Sequence, residues 1–289
     1  MRGQALGAVL VFGTALSWGS NWPMLKLLLE ELPPMTARGV AGVAAGVMLA
    51  ALAWPAGQRL AVAWALWPRL ALAALLNVMA WMGFATIGLL WLGAAEAAIL
   101  AYTAPVWTAL LAWPVLGEVP TPRRAAALVL ALAGVLVLFG GRGIALGLEK
   151  LPGMGLLLAA GFLFALGTVL AKRRPLPLPP LAAAAWQVGL GCAPLLVFGL
   201  LSEPQPWRDL SAAGWFFLVW MAVVPLGLAY LMWFEALKRV SATLAGIGTM
   251  LAPMVGVAGA AMFLGEAFGW REGAALLCIL AGVALAMRG

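Results

Sequence analysis

Histidine is absent from this 289-residue sequence, and cysteine occurs only at Cys192 and Cys278. A structural zinc site, a haem or iron–sulfur centre and a histidine-based triad all need ligands or bases that the chain lacks. Both cysteines lie in apolar runs, so we interpret them as core residues and not as a disulfide. We therefore expect no metal, no cofactor and no enzymatic activity.

Charge is also scarce. Only 9% of the residues are charged and 65% are hydrophobic, whereas soluble proteins carry about 25% charged residues. A soluble domain could not bury this much apolar surface, so a lipid bilayer must surround most of the chain. The net charge of +7 would suit nucleic acid, but the positions of the cations fit a membrane orientation instead. We expect no nucleic-acid partner.

Apolar segments long enough to cross about 30 Å of hydrocarbon recur along the whole chain. They cover about 5–28, 34–54, 69–92, 95–116, 122–140, 153–172, 180–201, 212–236, 242–264 and 271–288. Short links rich in proline and glycine separate them. The sequence therefore predicts an all-α polytopic membrane protein with ten transmembrane helices.

One of these segments occurs twice. Ile99–Glu118 returns as Ile247–Glu266 at an offset of 148 residues, with a mid-segment proline and a terminal Leu-Gly-Glu in both copies. Each half therefore holds five helices, and an odd number makes the halves enter the membrane in opposite directions. We predict two inverted repeats, 1–148 and 149–289, an arrangement typical of secondary transporters.

Lysine and arginine favour one orientation, with both termini in the cytoplasm. The cations then inside are Arg2, Arg59, Arg69, Arg123, Arg124, Lys172, Arg173, Arg174, Lys238, Arg239 and Arg288. The smaller outer group is Lys26, Arg38, Arg142, Lys150, Arg208 and Arg271. Most of the acidic residues also fall outside.

Polar and aromatic residues at membrane depth are candidates for a solute site, because burying them in lipid is costly. The set that we expect to line a central cavity is Ser17, Trp18, Ser20, Asn21, Asn77, Trp81, Tyr102, Thr103, Trp107, Phe164, Thr168, Tyr230, Trp233 and Thr249. The alternative for the polar members is packing between helices. The alternative for the aromatic members is packing or an interfacial belt.

Pro105 and Pro253 should break helices 4 and 9, since neither can donate to the carbonyl one turn before it. The freed carbonyls could accept from a substrate ammonium group, or from a Ser/Thr side chain or water. Glu118 and Glu266, which end the repeated segments, could pair with Arg123 and Arg271. Gly42 and Gly46 form a small-residue motif that suits helix packing first and dimer contact second, so a monomer and a homodimer both remain open.

No Lys, Arg, Asp, Glu or His falls at the middle of a span. A phosphorylated substrate would need a cation or a helix N-terminus there, and a proton relay usually needs a carboxylate. The class of substrate that remains compatible with these spans is a small zwitterionic or weakly polar solute.

Trp18-Gly19-Ser20-Asn21, the Ala-Pro of helices 4 and 9 and the paired Leu-Gly-Glu resemble the drug/metabolite transporter superfamily, and within it the ten-helix EamA-type members. The layout and tryptophan content are most similar to YddG-type amino-acid exporters. The resemblance implies export of amino acids, aromatic ones among them, or related metabolites across the bacterial inner membrane by alternating access. A drug or aromatic-cation exporter of the same fold is the alternative, and Glu96 or Glu235 should then be essential. A membrane-embedded enzyme or a channel fits less well.

Overall fold

The computed structural model describes residues 2–88, 90–92, 100–101, 103–119, 121–139, 148–264 and 269–287. Most of these residues are helical and none of them lies in a strand, which confirms the all-α expectation. Ten helices follow one another in the described ranges: α1 Arg2–Leu28, α2 Pro34–Ala53, α3 Trp64–Gly88, α4 Ala104–Leu116, α5 Pro122–Phe139, α6 Leu151–Arg173, α7 Pro180–Ser202, α8 Ala212–Leu237, α9 Ala242–Leu264 and α10 Trp270–Met287.

Five of the described helical stretches are long and apolar enough to cross a bilayer, with mean hydropathy of 1.6 to 2.2. They comprise α2, α3, α6 with the short turn before it, α7 and α8. Leu, Val, Phe and Trp side chains remain exposed around the outside of the bundle, as expected where lipid is the solvent. The chain is thus a polytopic membrane protein.

The two repeats are visible in the helix boundaries. Helices α5 and α10 begin and end at positions 148 residues apart, and so do α4 and the second part of α9, Ala252–Leu264. Helix α9 breaks after Thr249, just before Pro253. The equivalent break precedes Ala104, next to Pro105. Both helices are therefore interrupted near the repeated proline.

Each repeat also contains a π-helical segment, which the sequence did not predict. It covers Leu75–Met79 in α3 and Ala222–Leu228 in α8, again at equivalent positions. A π segment holds one residue more than an α turn, which shifts the helix face and loosens the hydrogen-bond ladder. Such segments often occur at functional sites.

Helix contacts follow the same two-fold relation. Helix α2 packs along its equivalent α7, and α5 packs along its equivalent α10. The remaining close pairs come in matched sets: α1 with α9 and α6 with α4, then α1 with α8 and α6 with α3. The repeats are therefore interleaved about a pseudo-two-fold axis, with α5 and α10 packed mainly on each other and also against α9.

Glycines allow the two symmetric pairs to approach closely. A Cβ on Gly42 would lie 2.2 Å from the Cys192 sulfur, and one on Gly46 would lie 2.8 Å from the Cα of Gly189. Gly134 of α5 and Gly282 of α10 would meet backbone carbonyls of the facing helix at 2.8 and 2.7 Å. The Gly42/Gly46 motif thus serves packing within the chain.

Three carboxylates join the repeats by capping helix N-termini in the other half. Glu118 accepts from the backbone N–H groups of Ala242 and Thr243 at 2.9 and 3.3 Å. Glu203 accepts from the start of α2, and Glu31 accepts from Ser211 before α8. The pairing of Glu118 with Arg123 is therefore wrong, because orphan N–H groups at a helix start attract the carboxylate. The Ser211 backbone N–H, aided by its hydroxyl, holds the pKa of Glu31 below its ordinary value.

Candidate functional site

A cavity of about 170 Å³, the central cavity, lies between the repeats and is bordered by α1 and by the breaks of α4 and α9. It is lined by α1, α2, α3, α6, α8 and the two helix breaks. The described lining residues are Trp18, Asn21, Leu25, Arg38, Trp81, Met82, Ala85, Ala101, Ala104, Pro105, Leu157, Phe164, Met221, Pro225, Leu226, Tyr230, Thr249 and Ala252.

Aromatic side chains form one wall of this cavity. The ring of Trp18 lies 5.5 Å from that of Tyr230 and 6.0 Å from that of Phe164, both in edge-on geometry. Trp81 lies 5.3 Å from Phe164. The indole N–H of Trp18 donates to the carbonyl of Pro225 at 3.0 Å, within the π segment of α8. This bond orients the indole and satisfies a backbone group that lies inside the membrane region.

Several predicted residues line the central cavity: Trp18, Asn21, Trp81, Phe164, Tyr230 and Thr249, with Pro105 beside them. The Oδ1 atom of Asn21 is buried and has no hydrogen-bond partner among the described residues. Thr249 bonds the carbonyl of Gly246 in its own helix. The Asn21 side chain thus holds, next to the cavity, a buried acceptor that no described residue satisfies.

Other predicted residues do not reach it. The hydroxyls of Ser17, Ser20 and Thr103 donate to carbonyls three or four residues back in their own helices, at 2.8, 3.0 and 2.6 Å. Trp107 packs edge-on against Phe162 at 5.7 Å, away from the cavity. Of Ser17, Ser20 and Asn21, the polar residues expected to line the cavity from α1, Asn21 alone does so, because short hydroxyl side chains find a nearer partner in the helix backbone. Tyr102 lies outside the described residues.

Asn77, Thr168 and Trp233 are almost fully buried beneath the cavity floor. Asn77 donates from its side-chain nitrogen to Gln187 Oε1 at 3.0 Å, and its backbone carbonyl accepts from the Tyr230 hydroxyl at 3.1 Å. Trp233 stacks on Phe164 with ring centroids 5.7 Å apart and an interplanar angle of 26°. Of the two roles weighed for Asn77, the structure shows the bond to a neighbouring helix.

Arg38 is the functional candidate that the sequence analysis missed, having placed it with the outer cations. It lies in the second turn of α2, it is 8% exposed, and it lines the central cavity. Its Nη1 atom donates to the sulfur of Met82 at 2.9 Å. A charge between Ala37 and Gly39, inside an apolar helix, was the available signal, because small neighbours indicate close packing around it.

A second cavity of about 240 Å³, the basic cavity, lies at the opposite ends of α3, α6 and α8. Its described charged lining residues are Arg69, Lys172, Arg174, Glu235 and Lys238. Glu235 is ion-paired with Lys238 and with Arg239, so this acid does not face the central cavity.

The two cavities approach within one or two helical turns of each other. Leu76 of the basic cavity and Trp81 of the central cavity are five positions apart on α3, and Tyr230 and Phe234 are four apart on α8. At 1.5 Å per residue these separations are roughly 6–8 Å. The intervening layer consists of Asn77, Tyr230, Trp233 and Phe164.

Comparison with known proteins places this geometry in context. A model of the EamA-like transporter family matches residues 5–140 and 151–288. A solved crystal structure superposes with a TM-score of 0.86 at 23% identity, covering 97% of each chain, and so has the same fold.

Curated relatives match over most of their length. The chain is 28% identical over 284 residues to the uncharacterized transporter YvbV of Bacillus subtilis (strain 168), covering 96% of this chain and 90% of that protein. It is 26% identical over 284 residues to a probable amino-acid metabolite efflux pump of Salmonella typhimurium, covering 92% and 89%. It is 28% identical over 163 residues to the aromatic amino acid exporter YddG of Ancylobacter novellus, covering 56% and 55%.

Proposed function

Because the chain belongs to the EamA-like transporter family, we propose that it exports amino acids, aromatic ones among them, or related small metabolites. The family resemblance read from the sequence is confirmed by this membership. The proposal of amino-acid export rests mainly on the central cavity, where an aromatic wall lies beside the buried and unpartnered oxygen of Asn21. Two of the relatives are named for the efflux of amino-acid metabolites and the export of aromatic amino acids. On this proposal the chain is a transporter and not an enzyme.

Alternating access is supported by the two cavities and the thin layer between them. Moving Asn77 and Tyr230 apart would join the basic cavity to the central cavity. A matching closure at the far end of the central cavity would prevent a continuous path across the membrane. Both π segments adjoin this layer, at Leu75–Met79 and Ala222–Leu228. The weaker backbone hydrogen bonding in the π segments lowers the free energy needed to bend α3 and α8.

We place the protein in the bacterial inner membrane with both termini in the cytoplasm. In this orientation the basic cavity faces the cytoplasm, in keeping with the excess of Lys and Arg on that side. Export then begins at the basic cavity and ends beyond the central cavity. The protein works as a monomer or as a homodimer.

Export of drugs or aromatic cations is the second candidate, favoured by the aromatic lining, because indole and phenol rings attract cations. The acidic residues predicted to be essential for such an exporter give this candidate less support. Glu235 is paired at the basic cavity, and Glu96 lies outside the described residues. The two candidates differ in the charge of the solute, which is a zwitterion without net charge in the first and a cation in the second.

Transport by purified protein in liposomes tests the proposal. The panel should include the common amino acids, two lipophilic aromatic cations and a sugar phosphate, each with and without a pH gradient. We expect saturable uptake of at least one aromatic amino acid, and we expect the other aromatic amino acids in the panel to compete with it. Uptake of a cation without any amino acid would overturn the proposal, and flux without saturation would favour a channel.

A further inference from the structure

We propose that the guanidinium of Arg38 binds the carboxylate of the transported solute, so that the site requires a carboxylate group. The inference rests on the proposed function, because it takes the central cavity as the binding site. It goes further by naming the residue that selects the solute and the group that is selected.

Arg38 is a buried cation. The side chain is 8% exposed, and it faces the central cavity. A buried ion that lacks a counter-charge is strongly destabilising. A protein retains such a group where a ligand supplies the missing charge, and ionisable groups at membrane depth are functional candidates for this reason.

Arg38 has no strong acceptor among the described residues. Within the described residues its hydrogen-bond acceptor is the Met82 thioether, which is a weak acceptor. Four carboxylates of the described part are engaged elsewhere: Glu31, Glu118 and Glu203 cap helix N-termini, and Glu235 pairs at the basic cavity. Most of the five guanidinium N–H donors are thus available to a solute. A carboxylate matches their fork geometry with two parallel bonds.

The rest of the lining sets the kind of carboxylate. Arg38 is the single Lys or Arg among the described residues of the central cavity, which suits a monoanion. Asn21 also lines this cavity and has a buried Oδ1 atom without a partner, and this amide oxygen, turned toward the cavity, would suit an ammonium group. Trp18, Phe164 and Tyr230 supply an apolar wall for a side chain. The arrangement has the polarity of an α-amino acid, and the Arg38 charge opposes the entry of simple cations.

Four related probes test the carboxylate requirement on the wild-type protein in liposomes: L-tryptophan, its amide, tryptamine and indole-3-propionate. The amide and tryptamine lack the carboxylate, and indole-3-propionate lacks the ammonium group. We expect uptake of both carboxylates and a loss of roughly 10- to 100-fold for the amide and tryptamine, the range of a charge-assisted bond pair. Equal uptake of tryptophan and its amide would overturn the proposal.

Arg38→Gln and Arg38→Lys assign the requirement to this side chain. In Arg38→Gln, tryptophan uptake should fall by a similar factor, and the preference for tryptophan over its amide should disappear. Arg38→Lys should show uptake and preference between those of the wild type and those of Arg38→Gln. Arg208→Gln, an exposed cation in the loop before α8, is the matched control and should behave as wild type. Unchanged preference in Arg38→Gln would contradict the inference.

Thermal stability separates ligand binding from a structural role. Without solute, Arg38→Gln should melt at the wild-type temperature or above it, because an unpaired buried charge has been removed. Tryptophan should stabilise the wild type and not the variant. A variant that melts lower yet keeps its substrate-induced shift would show that Arg38 is structural. Uptake of indole-3-propionate without any amino acid would overturn the proposed function and leave the Arg38 assignment standing.

Discussion

Tyr230 joins the central cavity to the layer beneath it. Its ring lines the cavity, and its hydroxyl donates to the backbone carbonyl of Asn77. If this bond closes the layer, Tyr230→Phe should weaken the closed state by about 1 kcal/mol, the typical worth of one hydrogen bond. The open population should then rise about fivefold.

Thiol labelling measures this change. In a background with Cys192→Ala and Cys278→Ala, the substitution Ala85→Cys places a thiol in the central cavity. An impermeant maleimide added from the side of the basic cavity should react about fivefold faster when Tyr230→Phe is also present. Phe198→Leu, on the exposed face of α7, is the control. Equal rates in all three proteins would show that this bond does not hold the layer closed.

Sequence reasoning identified the type of side chain at the cavity better than the direction in which each one points. Trp18 and Asn21 line the cavity, while Ser17 and Ser20, which were also expected there, bond their own helix. The rotation of a helix depends on its neighbours, which an apolar sequence hardly specifies because nearly every face is hydrophobic. Arg38 was missed for a related reason: its position near the helix start suggested an exposed interfacial cation.

The helix boundaries were more predictable, because the repeat supplied two copies of each signal. The paired prolines located both breaks, and the proline- and glycine-rich links separated the helices. The π segments at Leu75–Met79 and Ala222–Leu228 gave no comparable signal. One extra residue in a helix that is apolar on all sides leaves the hydrophobic pattern unchanged.

The glycine contact between α2 and α7 should tolerate no added volume. Gly42→Ala would place a Cβ 2.2 Å from the Cys192 sulfur, and overpacking of this kind costs about 1–3 kcal/mol. We expect a lower melting temperature for the detergent-solubilised protein, followed by fluorescence-detected gel filtration. Gly155→Ala in α6 is the matched control, because a Cβ there meets nothing within 4 Å. Equal melting temperatures for the two variants would mean that α2 and α7 are not in close contact.

Inversion of the repeats predicts which faces of the membrane the loops occupy. Leu29 and Pro177 are equivalent positions, and so are Ala56 and Pro204; all four are exposed in links between helices. Because each repeat holds five helices, the two members of a pair must lie on opposite sides of the bilayer. The proposed orientation places Ala56 and Pro177 in the cytoplasm and Leu29 and Pro204 outside.

Single cysteines at these four positions, in the same cysteine-free background, test that arrangement in intact cells. We expect an impermeant maleimide to label Leu29→Cys and Pro204→Cys at once, and Ala56→Cys and Pro177→Cys only after the membrane is opened. The reverse pattern would keep the inverted repeats and move the termini to the outer side, so that the basic cavity would face outward. Labelling of both members of one pair from the same side would contradict the inversion. The two cavities could then no longer be equivalent ends of one alternating path.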